Sequence, residues 1–306
     1  FINYNVNNGL CSDNVNAVCL DKYNDIYIGT TNGLSVMHNN RILPVGIKEE
    51  NGIRPFEAYV TSFCEGPDKL LYVGTSGRGL WRINPDRTVE KAFPNVQNIA
   101  FAQNFTFDKS GTLWITTNTN GVFAVKGNKI RRFRLKETTN YSIIITDIHD
   151  NVYVGFVNGG VYKTDATKRA FHLIPSKANA SVTSLKARKD GNIFVGTNGS
   201  GLQVLDGKTG YLYANQLFSN DVNMNNVKVY SILEDHTGNL WLGLLQKGVF
   251  VQPPHSSYMH YIGRSQGPTN PIGEQCVMAV FKQRNGTLWV ATDQDGLYAL
   301  DDNGKL

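Results

Sequence analysis

The sequence predicts an all-β fold, a seven-bladed β-propeller of four-stranded antiparallel blades with an N-terminal strand closing blade seven. Three observations predict this fold. An aromatic-centred core motif recurs seven times, a glycine and a branched aliphatic residue follow every copy, and a polar turn precedes most copies. Repeats of roughly 40 to 50 residues with four strands each have the period of a propeller blade. Residues 1–306 are therefore expected to form one domain.

The core motif places an aromatic residue between two aliphatic residues, as Trp114 stands between Leu113 and Ile115. Strand alternation sends the aromatic ring to one face and the aliphatic side chains to the other. A blade packs against a neighbour on each face, so its inner strands must be apolar on both faces. The aromatic residues of the seven copies, 39 to 48 residues apart, are Tyr27, Tyr72, Trp114, Tyr153, Phe194, Trp241 and Trp289.

The glycine and the polar residues mark the turns on either side of the core strand. A polar stretch such as residues 108–111 supplies Asp, Ser and Gly, which suit tight turns. Each repeat then divides into a short apolar strand such as Val15–Leu20, the core strand, a strand that begins at glycine such as Gly79–Ile83, and a looser outer strand such as residues 130–135. The glycine pairs are Gly33-Leu34, Gly79-Leu80, Gly121-Val122, Gly160-Val161, Gly201-Leu202, Gly248-Val249 and Gly296-Leu297.

Closure of the ring is predicted at the N-terminus. The seventh repeat shows three strands, and the given sequence stops at Leu306, where its outer strand would begin. Residues 1–6 precede the first strand of repeat one and have no other place in the pattern. They are predicted to pair onto blade seven as its outer strand, because this would remove an exposed sheet edge.

Composition points to a sheet-rich chain with a mild positive charge. Charged residues make up 18% of the chain, and the net charge is +5. No apolar run is long enough for a membrane helix, and the given sequence does not open with a signal peptide, although processing could have removed one. One basic cluster stands out, with two interpretations left open: a solvated outer strand, or attraction to an acidic partner. Its members are Lys129, Arg131, Arg132, Arg134 and Lys136.

The cysteines and histidines show no metal-binding spacing. Cys11, Cys19, Cys64 and Cys276 include no CxxC pair, so they are interpreted as small core residues, with a disulfide left open if the protein is exported. The histidines form no HExxH motif. Neither a metal nor another cofactor is expected.

The candidate ligand site is the mouth of the propeller, where two kinds of connection gather around the axis. Amides and arginine can form paired hydrogen bonds to sugar hydroxyls and carboxylates, and tyrosine offers an apolar face with a polar tip. The alternative for each residue is an ordinary solvated turn side chain. The turns after the core strands supply Arg78, Asn120, Asn158, Asn198, Gln246, Lys247 and Asp293, and the connections between blades supply Arg54, Tyr59, Tyr141, Lys228 and Gln275.

The repeats resemble the two-component regulator propeller family. The resemblance rests on residues 108–122 and 235–249, which carry Asp-x-x-Gly, an aliphatic-Trp-aliphatic core and the following glycine, and on the opening residues 9–15. The matches are imperfect, since Thr116 and Ala291 replace the core glycine.

The resemblance implies a non-catalytic propeller in the periplasmic sensor region of a hybrid two-component histidine kinase that senses glycan-derived oligosaccharides. The chain would be the first propeller of a longer sensor region. The expected partners are an oligosaccharide, a second propeller and a sandwich domain of the same parent chain, and a second copy in a homodimer. Nucleic acid and direct membrane insertion are not expected.

Two functions of different classes remain open at this point. The first is ligand sensing or scaffolding. The alternative is an enzyme, a propeller polysaccharide lyase or glycosidase, for which Asp293 and Asp295 are the candidate carboxylate pair. Turn chemistry explains these two aspartates more simply, and the predicted mouth offers mostly amides rather than acids and bases.

Overall fold

A computed structural model describes residues 3–96, 99–118, 121–135, 141–175, 181–215, 217, 222–254, 277–283, 287–292 and 297–300. Within these ranges the regular structure is strand, apart from one 3-10 helix at Val6–Asn8. None of the helical structure described there is long and apolar enough to cross a membrane. The prediction of an all-β chain is confirmed.

The described strands form seven sheets, one for each predicted repeat. Sheet one contains β1 (Val15–Leu20), β2 (Ile26–Thr30), β3 (Gly33–His38) and β4 (Arg41–Pro44). Sheet two contains β5 (Gly46–Glu49), β6 (Gly52–Pro55), β7 (Tyr59–Glu65), β8 (Leu71–Ser76), β9 (Gly79–Ile83) and β10 (Val89–Lys91). Sheet three contains β11 (Ala102–Phe107), β12 (Leu113–Thr117), β13 (Gly121–Lys126) and β14 (Lys129–Phe133).

The remaining sheets follow the same order along the chain. Sheet four contains β15 (Ser142–Thr146), β16 (Val152–Phe156), β17 (Gly160–Thr164) and β18 (Phe171–Leu173). Sheet five contains β19 (Val182–Ala187), β20 (Ile193–Thr197), β21 (Leu202–Leu205) and β22 (Leu212–Ala214). Sheet six contains β23 (Val229–Glu234), β24 (Leu240–Leu244) and β25 (Gly248–Gln252), and sheet seven contains β26 (Val277–Lys282), β27 (Leu288–Thr292) and β28 (Leu297–Leu300).

The first strand of each repeat is the inner strand of its sheet. The inner strands β1, β7, β11, β15, β19 and β23 contact one another in this order, so successive sheets are packed side by side. The other strands of each repeat lie progressively further out, each antiparallel to the one before it. This is the arrangement of blades in a β-propeller.

Apolar layers fill the spaces between neighbouring sheets from sheet one to sheet six. In each layer the core aromatic residue of one sheet packs against the next sheet. Trp114, which is 2% exposed, packs with Val152 and Val154 of sheet four, and its ring centroid lies 5.6 Å from that of Phe133. The aromatic residues buried in the same way are Tyr27, Tyr72, Tyr153 and Phe194.

The glycine of the core motif lets the next inner strand come close. A Cβ atom at Gly155 would lie 2.5 Å from Val182 Cγ1 of β19, and one at Gly29 would meet Val60 of β7. At these two positions a larger residue would collide with the valine of the next inner strand. This close approach is the physical reason for a glycine in the middle of an otherwise apolar strand.

An aspartate anchors the turn between inner strand and core strand. Asp108 Oδ1 accepts hydrogen bonds from the backbone N–H of Ser110 and of Thr112, at 3.0 and 2.9 Å, and its Oδ2 accepts one from Trp114 Nε1 at 3.1 Å. One carboxylate therefore closes the turn and orients the core aromatic side chain. The equivalent contacts join Asp147 to the Tyr153 hydroxyl and Asp235 to Trp241 Nε1.

Residues 46–55 correct the expectation of four strands in every blade. They form a hairpin on the outer edge of sheet two, in which β5 pairs with β6 and also, in parallel, with β10. Phe56 follows the hairpin and is 2% exposed, with its ring centroid 5.0 Å from that of Trp81. Burial of this ring and the open backbone edge of β10 hold the hairpin in place.

The predicted N-terminal strand, residues 1–6, is wrong for the described residues 3–6, none of which is in a strand. Val6–Asn8 form a 3-10 helix, which Asn5 caps by accepting a hydrogen bond from Asn7 N at 2.9 Å. The backbone N–H of Val6 donates to Asp13 Oδ1 at 2.8 Å. Asparagine side chains offer the backbone local partners that compete with a strand ladder, which explains the turn. Residues 1 and 2 lie outside the described residues.

Sheet six presents an apolar face to solvent. Trp241 pairs with Leu233 and with Val251 across the sheet, and these side chains are 39%, 55% and 39% exposed. On sheet seven, Val280 and Phe281 are 60% and 66% exposed, and on β1 Val18 is 62% exposed. Sheets one to six are therefore packed against one another, whereas the closed ring of seven blades stays a prediction.

Candidate functional site

A cavity of about 360 Å³ opens where the inner strands of sheets one to four begin. The ends of the core strands β8 and β12 reach the same place, so this is the mouth that the repeat pattern predicts. We refer to it as the mouth cavity. Its lining residues are Asn16, Tyr59, Thr61, Ser76, Gln103, Asn104, Asn118, Tyr141, Ser142 and Ile143.

A recurrent β-bulge brings polar side chains into this cavity. The pairing of inner strand and core strand shifts by one residue at Asn16, at Thr61 and at Gln103. An extra residue in one strand breaks the alternation and re-aims its side chain. A polar residue in an apolar strand can therefore reach the mouth without entering the core between the sheets.

The bulge residues also bond to the neighbouring inner strand, in a series of contacts that we call the bulge relay. Asn16 Nδ2 donates to the carbonyl of Val60 at 2.9 Å, and Thr61 Oγ1 donates to the carbonyl of Ala102 at 2.9 Å. The other links are Gln103 Oε1, which accepts from Ser142 N at 2.9 Å, and Thr183 Oγ1, which donates to the Val229 carbonyl.

Sheet four interrupts the relay. Its inner strand pairs with β16 without a register shift, and the residue after Ser142 is Ile143, whose side chain has no polar atom. Ile143 packs instead against the apolar layer between sheets four and five. The mouth cavity ends at this residue, on the side where the polar links stop.

Tyrosines surround the mouth cavity. Tyr59 and Tyr141 line it and are 47% and 49% exposed, and Tyr230 on β23 is 43% exposed. Burial of the Tyr141 phenol and its closeness to Tyr230 and Tyr59 raise the pKa of Tyr141. The Tyr141 phenol is therefore neutral at physiological pH and keeps its O–H as a hydrogen-bond donor.

The described lining of the mouth cavity is electrically neutral. It combines amides, hydroxyls and phenols with one aliphatic side chain. Asn104 Oδ1 accepts from Ile144 N at 3.2 Å, which orients its amide N–H groups as donors. Such a lining can bind and orient a polar ligand, but it supplies no general acid or base with a pKa near neutrality.

Comparison with known proteins identifies the repeat. The family described as two-component regulator propeller matches residues 9–32 and 223–245, which contain the inner and core strands of sheets one and six. These two segments match the two-component regulator propeller repeat. The predicted resemblance is thus confirmed, and the opening residues 9–15 lie within the first matched segment.

A curated relative of this propeller is "Histidine kinase P4" of Formosa agariphila, 24% identical over 320 residues that cover 91% of this chain and 23% of the relative. The chain therefore spans about a quarter of the length of the curated relative that it matches.

Solved structures establish the β-propeller fold. The extracellular domain of a putative hybrid two-component system of B. thetaiotaomicron has a TM-score of 0.66 and 17% identity, over 98% of this chain and 41% of that one. A second such domain has a TM-score of 0.62 and 20% identity, over 93% and 37%. Virginiamycin B lyase of Staphylococcus aureus shares the fold with a TM-score of 0.58 and 13% identity, over 94% of each chain.

The propeller brings two of the predicted site residues, Tyr59 and Tyr141, together in the mouth cavity. Lys228 and Asn198 form an isolated bridge between neighbouring sheets, with exposed side chains. Arg78 lines a separate cavity of about 280 Å³ on sheet two. Ligand binding by any of these residues stays a prediction.

Other predicted site residues lie elsewhere or are not described. Asn158, Gln246 and Lys247 are exposed in turns after core strands, and none of them lines the mouth cavity. The placement of Arg54 at the mouth is wrong, because it lies on β6, the outermost strand of sheet two, where its Nε is 2.7 Å from Glu49 Oε1. Outside the described residues lie Asn120, Lys136, Gln275, Cys276, Asp293 and Asp295.

Sequence reasoning missed the bulge residues Asn16, Thr61 and Gln103. The available signal was a polar residue near the start of an apolar inner strand, as in Val15-Asn16-Ala17. Strict alternation would have directed these side chains to a sheet face, so they were not considered for the mouth.

The cysteines lie near the core, as interpreted from the sequence. Cys11, Cys19 and Cys64 are free thiols and partly buried. Burial, with the neighbouring Cys64, raises the pKa of Cys19 to about 11, so this thiol is not reactive at neutral pH. Among the described residues no group of three His, Cys, Asp or Glu side chains is placed to hold a metal ion.

Proposed function

We propose that the chain is a ligand-sensing propeller from the periplasmic sensor region of a hybrid two-component histidine kinase, and that its mouth cavity binds an uncharged oligosaccharide. We choose this class of ligand because the lining of that cavity is neutral, rich in amides and contains tyrosines. The similarity to a histidine kinase and to extracellular domains of two-component systems supports the receptor context.

Sugar recognition needs both kinds of group that the lining offers. Amide side chains donate and accept hydrogen bonds at fixed spacing, which suits vicinal hydroxyls. The faces of Tyr59 and Tyr141 can cover the apolar C–H face of a sugar ring. A charged sugar would lose hydration without gaining an opposite charge, so neutral oligosaccharides are the preferred class.

Binding would act on the contacts between blades. The mouth cavity draws residues from the inner strands of four successive sheets, and the bulge relay joins the same strands. A ligand held by several of them would favour one relative placement of the sheets. Such differential affinity is the thermodynamic requirement for a receptor switch.

We also propose that the propeller closes as a ring of seven blades, with sheet seven between sheets six and one. Each core aromatic residue from sheet one to sheet five is covered by the next sheet, whereas Trp241 of sheet six remains 39% exposed. A face that exposes Leu233, Trp241 and Val251 together is unusual for a soluble chain and calls for a partner surface. The apolar residues of sheet seven supply one.

The ligand proposal is tested by calorimetric titration of the purified chain with neutral and acidic oligosaccharides. We expect binding of neutral members, and Tyr141→Ala to weaken it about tenfold through the loss of one aromatic contact. Tyr211→Ala is the matched control, because Tyr211 is 72% exposed on sheet five and away from the mouth.

The same titration separates the other functions. No binding across a broad panel would favour a scaffold role, in which the propeller only positions other domains. Release of shorter products from a glycan mixture would favour the lyase or glycosidase alternative. Equal loss of affinity in the Tyr141 and Tyr211 variants would place the ligand outside the mouth cavity.

A further inference from the structure

The outer strand of sheet three, β14 (Lys129–Phe133), is an open strand edge with an unusual charge. It spans five residues, whereas the outermost described strands of sheets one, four and five span three or four. Its only strand partner in the described part of the chain is β13. One edge of its backbone is therefore available to a further strand.

The hairpin geometry indicates which backbone groups point outward. Lys126 pairs with Lys129 across a two-residue turn, in which Gly127 has a φ of 55°. The two residues that flank such a turn form a hydrogen-bonded pair. Along the strands from there, hydrogen-bonded pairs alternate with pairs that are not hydrogen-bonded to each other. Ile130, opposite Val125, consequently directs its N–H and C=O away from β13. Its side chain is 46% exposed in the middle of the strand.

The chain itself shows that the outer edge of a blade can accept another strand. In sheet two the outer strand β10 pairs in parallel with β5 of the inserted hairpin, through Val89 and Ile47. β10 has three residues, so an edge shorter than β14 suffices. The outer edge of sheet three offers the same ladder, and no described segment of the chain occupies it.

Positive charge surrounds this edge without local compensation. Lys126, Lys129, Arg131 and Arg134 are exposed, and none of them forms an ion pair with a described carboxylate. Asp108, a carboxylate that lines the adjoining groove, is held by Lys168 Nζ at 2.8 Å. The field at the strand is therefore positive and favours an acidic partner.

A groove of about 610 Å³ runs beside β14 and gives room for side chains. Its wall combines cations with hydroxyls of Ser110, Thr112 and Thr167 and with the exposed side of Ile130. Arg131 lies over the Phe133 ring, with its Cζ 5.9 Å from the ring centroid, which keeps the guanidinium beside the groove. Charge, an apolar anchor and a backbone edge thus occur together.

We propose that β14 is a docking edge that binds an extended acidic segment of a partner protein, which adds to sheet three as a fifth strand. Main-chain hydrogen bonds at Ile130 provide the ladder, and carboxylates on one face of the added strand pair with the cations at the edge. An acidic polysaccharide would match the charge alone. It would leave the backbone edge and Ile130 unused, so the peptide is the better fit.

The test measures fluorescence anisotropy of a labelled peptide that alternates glutamate with valine, added to the full chain at low ionic strength. We expect saturable binding that weakens with added salt. Ile130→Pro removes one outward N–H and should weaken binding at least about tenfold, while Ile130→Thr keeps that N–H and should bind nearly as well as the parent.

Charge variants provide the second readout. Lys129→Glu combined with Arg131→Glu should weaken peptide binding about tenfold or more. The matched control is Arg41→Glu, which reverses an exposed cation on the outer strand of sheet one and should leave binding unchanged. Circular dichroism melts confirm that each variant is folded.

Two results would overturn the proposal. One is the absence of peptide binding at low salt. The other is equal binding by Ile130→Pro and Ile130→Thr together with competition by a sulfated polysaccharide. That result would show that binding depends on positive charge alone and not on the backbone edge of β14. Both results leave the mouth cavity untouched, so failure here is distinguishable from failure of the oligosaccharide proposal.

Discussion

Asp108 shows how one side chain can organise a repeat. Its carboxylate closes the turn, receives the Trp114 indole N–H and is bound by Lys168 Nζ of sheet four. Burial by itself would raise the pKa of Asp108, but the hydrogen bonds from Lys168, Ser110 and Trp114 outweigh it and lower the pKa to about 2. The turn, the core aromatic residue and the neighbouring sheet therefore depend on one ionised group.

We expect Asp108→Asn to lower the free energy of unfolding by about 2 kcal/mol near neutral pH, because an ionised acceptor with several partners is lost. A carboxyl whose pKa is lowered by folding contributes stability above its unfolded pKa of about 3.9 and loses that contribution as the pH falls. The difference between parent and variant should thus shrink between about pH 4 and about pH 2. Urea denaturation at several pH values measures it.

The control for this prediction is Asp206→Asn. Asp206 also closes a turn, by accepting from Lys208 N and Thr209 N at 2.8 Å, but among the described residues no aromatic or lysine side chain donates a hydrogen bond to it. A loss of stability as large in this variant as in Asp108→Asn would contradict the role given to Lys168 and Trp114.

At the scale of elements, the bulge relay ties each inner strand to the next. It uses residues that break strand alternation, so the links do not compete with the apolar layers between the sheets. Thr61 Oγ1 reaches the carbonyl of Ala102, a residue with no solvent exposure. Because that carbonyl has little access to water, loss of the hydroxyl would leave an unsatisfied acceptor.

Thr61→Val should therefore lower the free energy of unfolding by about 1 to 2 kcal/mol, since valine keeps the shape but not the hydrogen bond. Thr61→Ser keeps the hydroxyl and loses one methyl group, so it should cost less. Equilibrium denaturation in urea compares the two variants. A larger cost for serine than for valine would mean that packing of the methyl group, rather than the relay, stabilises this contact.

At the scale of the whole molecule, the exposed apolar sheet faces lie where the proposed ring would close. Val249 on sheet six is 66% exposed, and it pairs with Gly243 on the same face as Trp241. In a closed ring this face would be buried against sheet seven, just as Trp114 is buried against sheet four. The effect of a charge at Val249 therefore reports on closure.

We expect Val249→Asp to lower the free energy of unfolding by about 2 kcal/mol or more, because a closed ring would bury the new carboxylate. Ile53→Asp is the control, since Ile53 is 68% exposed on the outer hairpin strand β6 and should change stability by no more than about 0.5 kcal/mol. Thermal melts of both variants give the comparison. Similar small effects would argue against closure through this face.

The repeat was predictable because its determinants are local in sequence. The aromatic residue, the core glycine and the turn aspartate lie within a few residues of one another. Most copies of the repeat need the same residue types at the same spacing. The hairpin at residues 46–55 was not predictable in this way, since it depends on a pairing between Val89 and Ile47, far apart in the chain. The N-terminal helix reflects competition from asparagine side chains, which strand periodicity does not measure.

Two of the residues predicted for the mouth, Tyr59 and Tyr141, line the mouth cavity, and their role in ligand binding stays a prediction. Tyr59 and Tyr141 were found because they lie in connections before inner strands, but Asn16, Thr61 and Gln103 depend on bulges that alternation cannot reveal. Arg54 was misplaced because a connection was assumed where the chain forms an extra pair of strands. Side chains at irregular backbone positions therefore decide the chemistry of the site.

The sequence alone determined the β-sheet class, the repeated blade unit and its resemblance to a known propeller repeat, because apolar alternation and turn residues act over short distances. Tertiary structure alone decided which polar groups meet in the mouth cavity, which strands link to the next sheet and which edge stays open. These outcomes depend on contacts between residues distant in the chain, whose geometry arises only when neighbouring sheets pack together.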